Sequence, residues 1–177
     1  MKHLIVCLSV ILAVSAVFPF AEEPVFAAVL PKIPDEATAI TLDGKTVSLA
    51  DHRGKLIFLT IWRTDCKACL LEIPLLNRLQ KEYSTEDFTV IGVSVDRGKN
   101  EFVSRVVEKR NISYPVWLSY GQPLSWYTRV QYLPTLLAIG PEGEVLGYMV
   151  GAFSSYEHAL AVMKDARNLI EERKSAK

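Results

Sequence analysis

The chain has 177 residues, 20 acidic against 20 basic side chains, and a hydrophobic share of 50%. That combination fits one packed domain and excludes a disordered or low-complexity chain. A formal net charge of zero also removes the basic face that nucleic-acid binding requires, so no nucleic-acid partner is expected.

Lys2 and His3 precede an uncharged run from Leu4 to Ala21, and Glu22-Glu23-Pro24 and Val25-Phe26-Ala27 follow. This is the layout of a secretory signal with cleavage after Ala27. The run, at about 18 residues, also just reaches bilayer-spanning length, so an uncleaved anchor is the alternative. Residues 1–27 therefore read as a signal peptide or N-terminal membrane anchor, and 28–177 as one domain. Cys7 lies inside the apolar run rather than at its end, which argues against a lipoprotein. Either reading puts the domain outside the cytoplasm, periplasmic or otherwise extracytoplasmic, secreted or membrane-anchored.

After a proline-rich lead-in to Asp35, Thr38–Leu42 and Lys45–Leu49 read as two short strands about an Asp43-Gly44 hairpin turn. Leu49–Arg53 reads as a helical turn ended by Gly54. Lys55–Trp62 is apolar and rich in β-branched and aromatic residues, hence a buried strand. From Leu70 to Tyr83, Ile73, Leu76, Leu79 and Tyr83 recur at helical spacing, with a kink expected at Pro74. Phe88–Val95 is a second buried strand. Asn100–Arg110 carries Phe102, Val103, Val106 and Val107 on an amphipathic helix, followed by a strand at Tyr114–Leu118 and a short helix at Pro123–Val130. Pro134–Ile139 and Val145–Val150 read as paired strands across the turn Pro141-Glu142-Gly143-Glu144. A closing helix from Ser154 to Lys174 buries Tyr156, Leu160, Met163, Leu169 and Ile170. Alternating strands and helices, then a hairpin and a helix, give an α/β sandwich about one sheet.

The chemistry concentrates at Cys66-Lys67-Ala68-Cys69, between the strand that ends at Trp62 and the helix that follows. Two thiols separated by two residues at a first helical turn can close a disulfide with little backbone movement. The free N–H groups of that turn favour a thiolate on Cys66. With Cys7 in the targeting segment, the exported domain has only this pair. So short a loop removes little unfolded-state entropy, and the pair is placed for chemistry rather than stapling. Zinc wants four protein ligands in a structural site, and the two cysteines with His52 and His158 show no such spacing, so no metal is expected. Glu72 lies one helical turn beyond Cys69, near the same face. A carboxyl there can take the Cys69 proton if burial raises its own pKa.

Several segments carry a family resemblance: Asp43–Leu49, Arg53-Gly54-Lys55, Trp62, the CxxC with Glu72-Ile73-Pro74, Gly92-Val93-Ser94-Val95-Asp96, Leu133-Pro134-Thr135 and Gly140–Gly143. In order and spacing, over about residues 35 to 152, the chain resembles the exported TlpA/ResA-like thiol–disulfide oxidoreductases of the thioredoxin superfamily. The resemblance implies a thioredoxin-like sandwich: a central mixed sheet with helices on both faces, an N-terminal β-hairpin, and an inserted helix–strand unit over residues 100 to 118. It implies Cys66 as nucleophile, Cys69 as resolving thiol and Glu72 as the acidic residue that governs thiol pKa. Trp62 would pack beside the CxxC loop. Pro134 would be the cis-proline, presenting the backbone of Leu133 to an extended substrate. No cofactor is implied. The partners implied are protein disulfide substrates, such as apocytochrome c in cytochrome c maturation or copper-site assembly proteins, and a membrane thiol reductant.

Three departures stand out. Thr60 occupies the place of the buried aspartate of cytoplasmic thioredoxins. Asp65 replaces an aromatic residue, and Lys67-Ala68 a spacer that usually ends in proline. The charges of Asp65 and Lys67 are expected to offset each other at Cys66. Two other functions compete. A peroxiredoxin-type thiol peroxidase would want threonine where Arg63 stands and proline where Leu59 stands. A copper chaperone would use the two thiols as soft ligands, with no Met or His close in sequence to help.

Overall fold

A computed structural model describes residues 32–35, 37–84, 87–98, 100–119 and 130–176. Strands β1 (Thr38–Thr41) and β2 (Thr46–Ser48) form the expected hairpin, β1 starting where expected and ending one residue early, β2 one residue shorter at each end. A 3-10 turn over Leu49–His52 follows, capped by Ser48, whose hydroxyl accepts the Ala50 N–H. Then come β3 (Leu56–Trp62), α1 (Lys67–Tyr83), β4 (Phe88–Ser94), α2 (Asn100–Lys109), β5 (Val116–Leu118), β6 (Thr135–Ile139), β7 (Val145–Val150) and α3 (Tyr156–Ser175). The helix expected over Pro123–Val130 lies, apart from Val130 itself, outside the described residues. So does the segment 1–27.

The strands join in one sheet in the order β2-β1-β5-β4-β3-β6-β7. β3, β4 and β5 run parallel, and β1, β2, β6 and β7 add antiparallel neighbours on both sides. β3 and β4 are buried along their whole length, which is why both read as continuous apolar runs rather than alternating ones. Alternation still decides which face each side chain serves. Leu56, Phe58 and Trp62 enter the core beneath α1 and α3, whereas Ile57, Leu59 and Ile61 enter a second core on the opposite face with Ile33 and Leu49. Thr60 shares the parity of Phe58 and Trp62, so its hydroxyl faces α1.

On α2, Phe102 is 59% exposed, with the Arg105 guanidinium 4.6 Å from its ring, and Val103 is buried. One packing expectation needs correction. On α3, Leu160 and Leu169 are only partly buried. The face against the sheet belongs to Ala159, Val162, Met163 and Ala166, all essentially inaccessible, because small side chains let the helix approach closely. α1 runs unbroken through Pro74, which is exposed.

Gly92 on β4 pairs with Thr60 on β3. A Cβ at this position would stand 3.0 Å from Tyr114 Cε2 and 3.1 Å from Trp62 Nε1, and both rings are buried, so neither can retreat freely. Gly92→Ala is expected to destabilise the fold by about 1–3 kcal/mol through overpacking. Urea unfolding would show this as a lower midpoint at unchanged slope; a midpoint equal to wild type would mean that the rings have room.

Candidate functional site

Trp62 ends β3, and the chain turns through Arg63-Thr64-Asp65 to reach α1. The Cys66 N–H donates to the Arg63 carbonyl at 3.2 Å, closing that turn. Cys66 is the N-cap of α1, and its Sγ accepts the Cys69 N–H at 3.2 Å. Cys66 and Cys69 are joined as a disulfide with Cα atoms 5.3 Å apart. The two sulfurs differ in access: Cys66 is partly exposed, whereas Cys69, one turn into the helix, is only 1% exposed. An incoming thiol or disulfide meets Cys66 first.

Glu72 sits one turn further along α1 and is 2% exposed. Its side chain points at the sheet, not at solvent. Thr60 Oγ1–H donates to Glu72 Oε1 at 2.8 Å, and the Phe153 backbone N–H donates to the same carboxyl group. These bonds favour the charged form, but loss of water outweighs them and pushes the pKa up to about 7. Burial pushes the Tyr114 hydroxyl pKa upward, and the Glu72 charge adds to the shift. Trp62, 2% exposed, lies in the core on the same sheet face, and its Nε1–H has no hydrogen-bond partner among the described residues. The helix supplies the carboxyl that the strand lacks.

The Leu133–Pro134 peptide bond is cis. Sheet register explains how this loop comes to the site. β6 runs antiparallel to β3 with Ile61 opposite Thr135, so Pro134, just before β6, lies beside the end from which the CxxC turn departs. Thr135 Oγ1–H donates to the Tyr132 carbonyl at 2.7 Å, and the Pro134 carbonyl accepts the Gly151 N–H at 2.8 Å. Pro134 is buried and Leu133 half-buried against both cores, while Tyr132 is exposed. Gly151, at φ 96°, turns the chain from β7 towards Phe153 and α3. The same short segment therefore touches both Pro134 and Glu72.

Three interactions at the site were not read from the sequence. Phe153 acts through its backbone, for which no sequence signal exists. Asp65 is paired not with Lys67 but with Arg63, in a two-point contact of 2.7 and 2.6 Å that holds its carboxyl below the usual carboxylate range. The expected offset by Lys67 is replaced by a neighbour two residues back. Asp96 accepts hydrogen bonds from Thr64 and Ser94 and fastens the CxxC turn to the end of β4. His52 lies against Trp117 and His158 against Phe153, and among the described residues no three His, Cys, Asp or Glu side chains are grouped to hold a metal ion.

Comparison with known proteins agrees with this geometry. Residues 28–161 match the Redoxin family. The thiol-disulfide oxidoreductase ResA of Bacillus thuringiensis (strain Al Hakam) is 32% identical over 110 residues, covering 62% of this chain and 63% of that protein, so the match spans less than two thirds of the relative. ResA of Bacillus subtilis (strain 168) is 28% identical over 129 residues, 73% of this chain and 69% of that one. Among solved structures, a thiol:disulfide interchange protein of the thioredoxin family from Chlorobium tepidum TLS superposes with a TM-score of 0.67 at 26% identity, covering 79% of this chain and 99% of its own. The chain belongs to the redoxin family, as a ResA-like member of the thioredoxin superfamily.

Proposed function

We propose that the protein is an extracytoplasmic thiol–disulfide oxidoreductase that reduces disulfides in other proteins and is itself returned to the dithiol by a membrane thiol donor. The observation that carries this reading is the graded site: an accessible Cys66, a buried Cys69 and a buried carboxyl one turn behind it. The N-terminal segment, as a signal or anchor, supports the compartment, and cytochrome c maturation is one process that would use such a reductant.

In the dithiol form, the Cys66 thiolate attacks one sulfur of a substrate disulfide. The Cys66–substrate bond forms as the substrate S–S bond breaks, and one substrate thiolate leaves. Cys69 gives its proton to the Glu72 carboxylate and attacks Cys66 Sγ. This restores the intramolecular disulfide and releases the second substrate thiolate. Two electrons pass to the substrate. Trp62 would pack beside the turn, and Leu133 with Pro134 would offer backbone groups to the substrate strand. The carboxylate also favours the reductant direction. Negative charge beside the thiols disfavours their ionised forms and so makes the disulfide harder to reduce.

Cys66→Ser is expected to abolish reduction of insulin disulfides, while Cys69→Ser should trap mixed disulfides with substrates. Alkylation of the reduced protein against pH should give a Cys66 midpoint below that of free cysteine. A Cys66→Ser protein with unchanged activity would place the chemistry elsewhere.

Glu72 also sets a pH dependence of stability. Its pKa is raised from an ordinary 4.5 to about 7, so between these values the folded protein holds a proton that the unfolded chain has released. The advantage is complete below the unfolded pKa and is lost as pH rises through the folded one, a swing of about 3 kcal/mol. Urea unfolding of the oxidised protein should show stability falling between pH 5 and 8, and Glu72→Gln should flatten that fall. Equal slopes in wild type and variant would contradict the assignment. The same substitution should make the disulfide more oxidising, by roughly 30 mV for each tenfold change in equilibrium against glutathione. An unchanged equilibrium would remove Glu72 from thiol control.

A further inference from the structure

Asp96 takes no part in the exchange steps above, yet it is the acceptor for most of the hydrogen bonds that tie the CxxC turn to the sheet. Half-buried just past β4, its carboxylate accepts the Thr64 N–H at 3.0 Å and the Thr64 Oγ1–H at 2.6 Å. It also accepts the Ser94 Oγ–H at 2.7 Å, and its own N–H donates back to Ser94 Oγ at 3.1 Å. Thr64 lies midway between Trp62, held by the Val95 N–H at 3.0 Å, and Cys66. The remaining bonds of the turn are local: Cys66 N–H to the Arg63 carbonyl, and the Arg63–Asp65 pair.

The disulfide itself fixes Cys66 against α1. On reduction that covalent tie is gone, and Cys66, standing ahead of the helix as its N-cap, depends on the turn for its position over the free N–H groups. We propose that Asp96 is a positioning residue for Cys66: acting through Thr64, it holds the dithiol form with Cys66 Sγ at the N-terminus of α1, where the thiolate is stabilised. This rests on the reading of Cys66 as the nucleophile. The charged groups around Cys66 are Arg63, Asp65 and Lys67 along the chain, Glu72 on the body of α1, and Asp96 from the end of β4.

Charge and position pull in opposite directions here, and two substitutions separate them. Asp96→Asn removes the charge but can keep the bonds: its carbonyl accepts from Thr64, and its amide donates to the Ser94 hydroxyl, which can accept. Asp96→Ala removes both. The readout is alkylation of the reduced proteins by iodoacetamide across pH, with mass spectrometry locating the label. At pH 7 Asp96→Asn should react within about twofold of wild type, and Asp96→Ala at least about fivefold more slowly than Asp96→Asn, with a higher midpoint. Equal profiles for Asp96→Asn and Asp96→Ala would overturn the proposal. Should Asp96→Ala fail to fold, Thr64→Val decides, since it removes the 2.6 Å bond from the other side; it should slow alkylation, and a profile equal to wild type would overturn the proposal. Label appearing first on Cys69 in wild type would instead refute Cys66 as nucleophile, and this inference with it.

Discussion

A carboxyl group taken out of water costs several kcal/mol in its charged form, and the protein accepts that cost at Glu72, directly behind its disulfide. Much of the surrounding structure is what makes the burial tolerable. Thr60 faces α1 because strand alternation puts it on the same side as Phe58 and Trp62, and it donates to Oε1 at 2.8 Å. Phe153 adds a backbone N–H from the segment between β7 and α3. Gly92, beside Thr60, has no Cβ and so leaves space for the Trp62 and Tyr114 rings that wall off the site. With two hydrogen-bond donors and no ion pair among the described residues, the carboxyl balances near neutral pH rather than settling as an anion. That is the range in which a group can both accept a thiol proton and give it back.

The remaining parts are brought together by the end of the sheet. β3 delivers the CxxC turn, β6 begins beside it just after Leu133–Pro134, and β4 ends alongside at Ser94 with Asp96 just beyond. None of these contacts is local in sequence. Two bonds also connect places that would otherwise act separately: the Gly151 N–H to the Pro134 carbonyl, and the Phe153 N–H to Glu72. The Leu133–Pro134 loop and the Glu72 carboxyl thus share one short segment of main chain.

Much of this was legible in the sequence because its signals are physically strong. β3 and β4 are buried on both faces and read as unbroken apolar runs, and the CxxC at a strand–helix junction admits few alternatives. Glu72 was visible as one helical turn beyond Cys69, but spacing alone could not tell a buried carboxyl from a solvated one; the Thr60 hydroxyl that receives it is 12 residues away. The amphipathic pattern of α2 does not say which apolar side chain turns inward: Val103 is buried and the larger Phe102 is exposed. The α3 face misled, since alanines carry little hydrophobic signal yet permit the closest packing. Arg63–Asp65 and Thr64–Asp96 depend on the path of a turn, which neither periodicity nor propensity specifies.

The most direct measurement is the titration of the Glu72 side-chain carboxyl by carbon-13 NMR in the oxidised protein and again in the dithiol. The oxidised form should titrate near 7, as burial dictates, and the dithiol higher still, because a Cys69 thiolate and a Glu72 carboxylate oppose each other's charge. A single value in the ordinary carboxylate range, the same in both redox states, would contradict the coupling of this carboxyl to the disulfide.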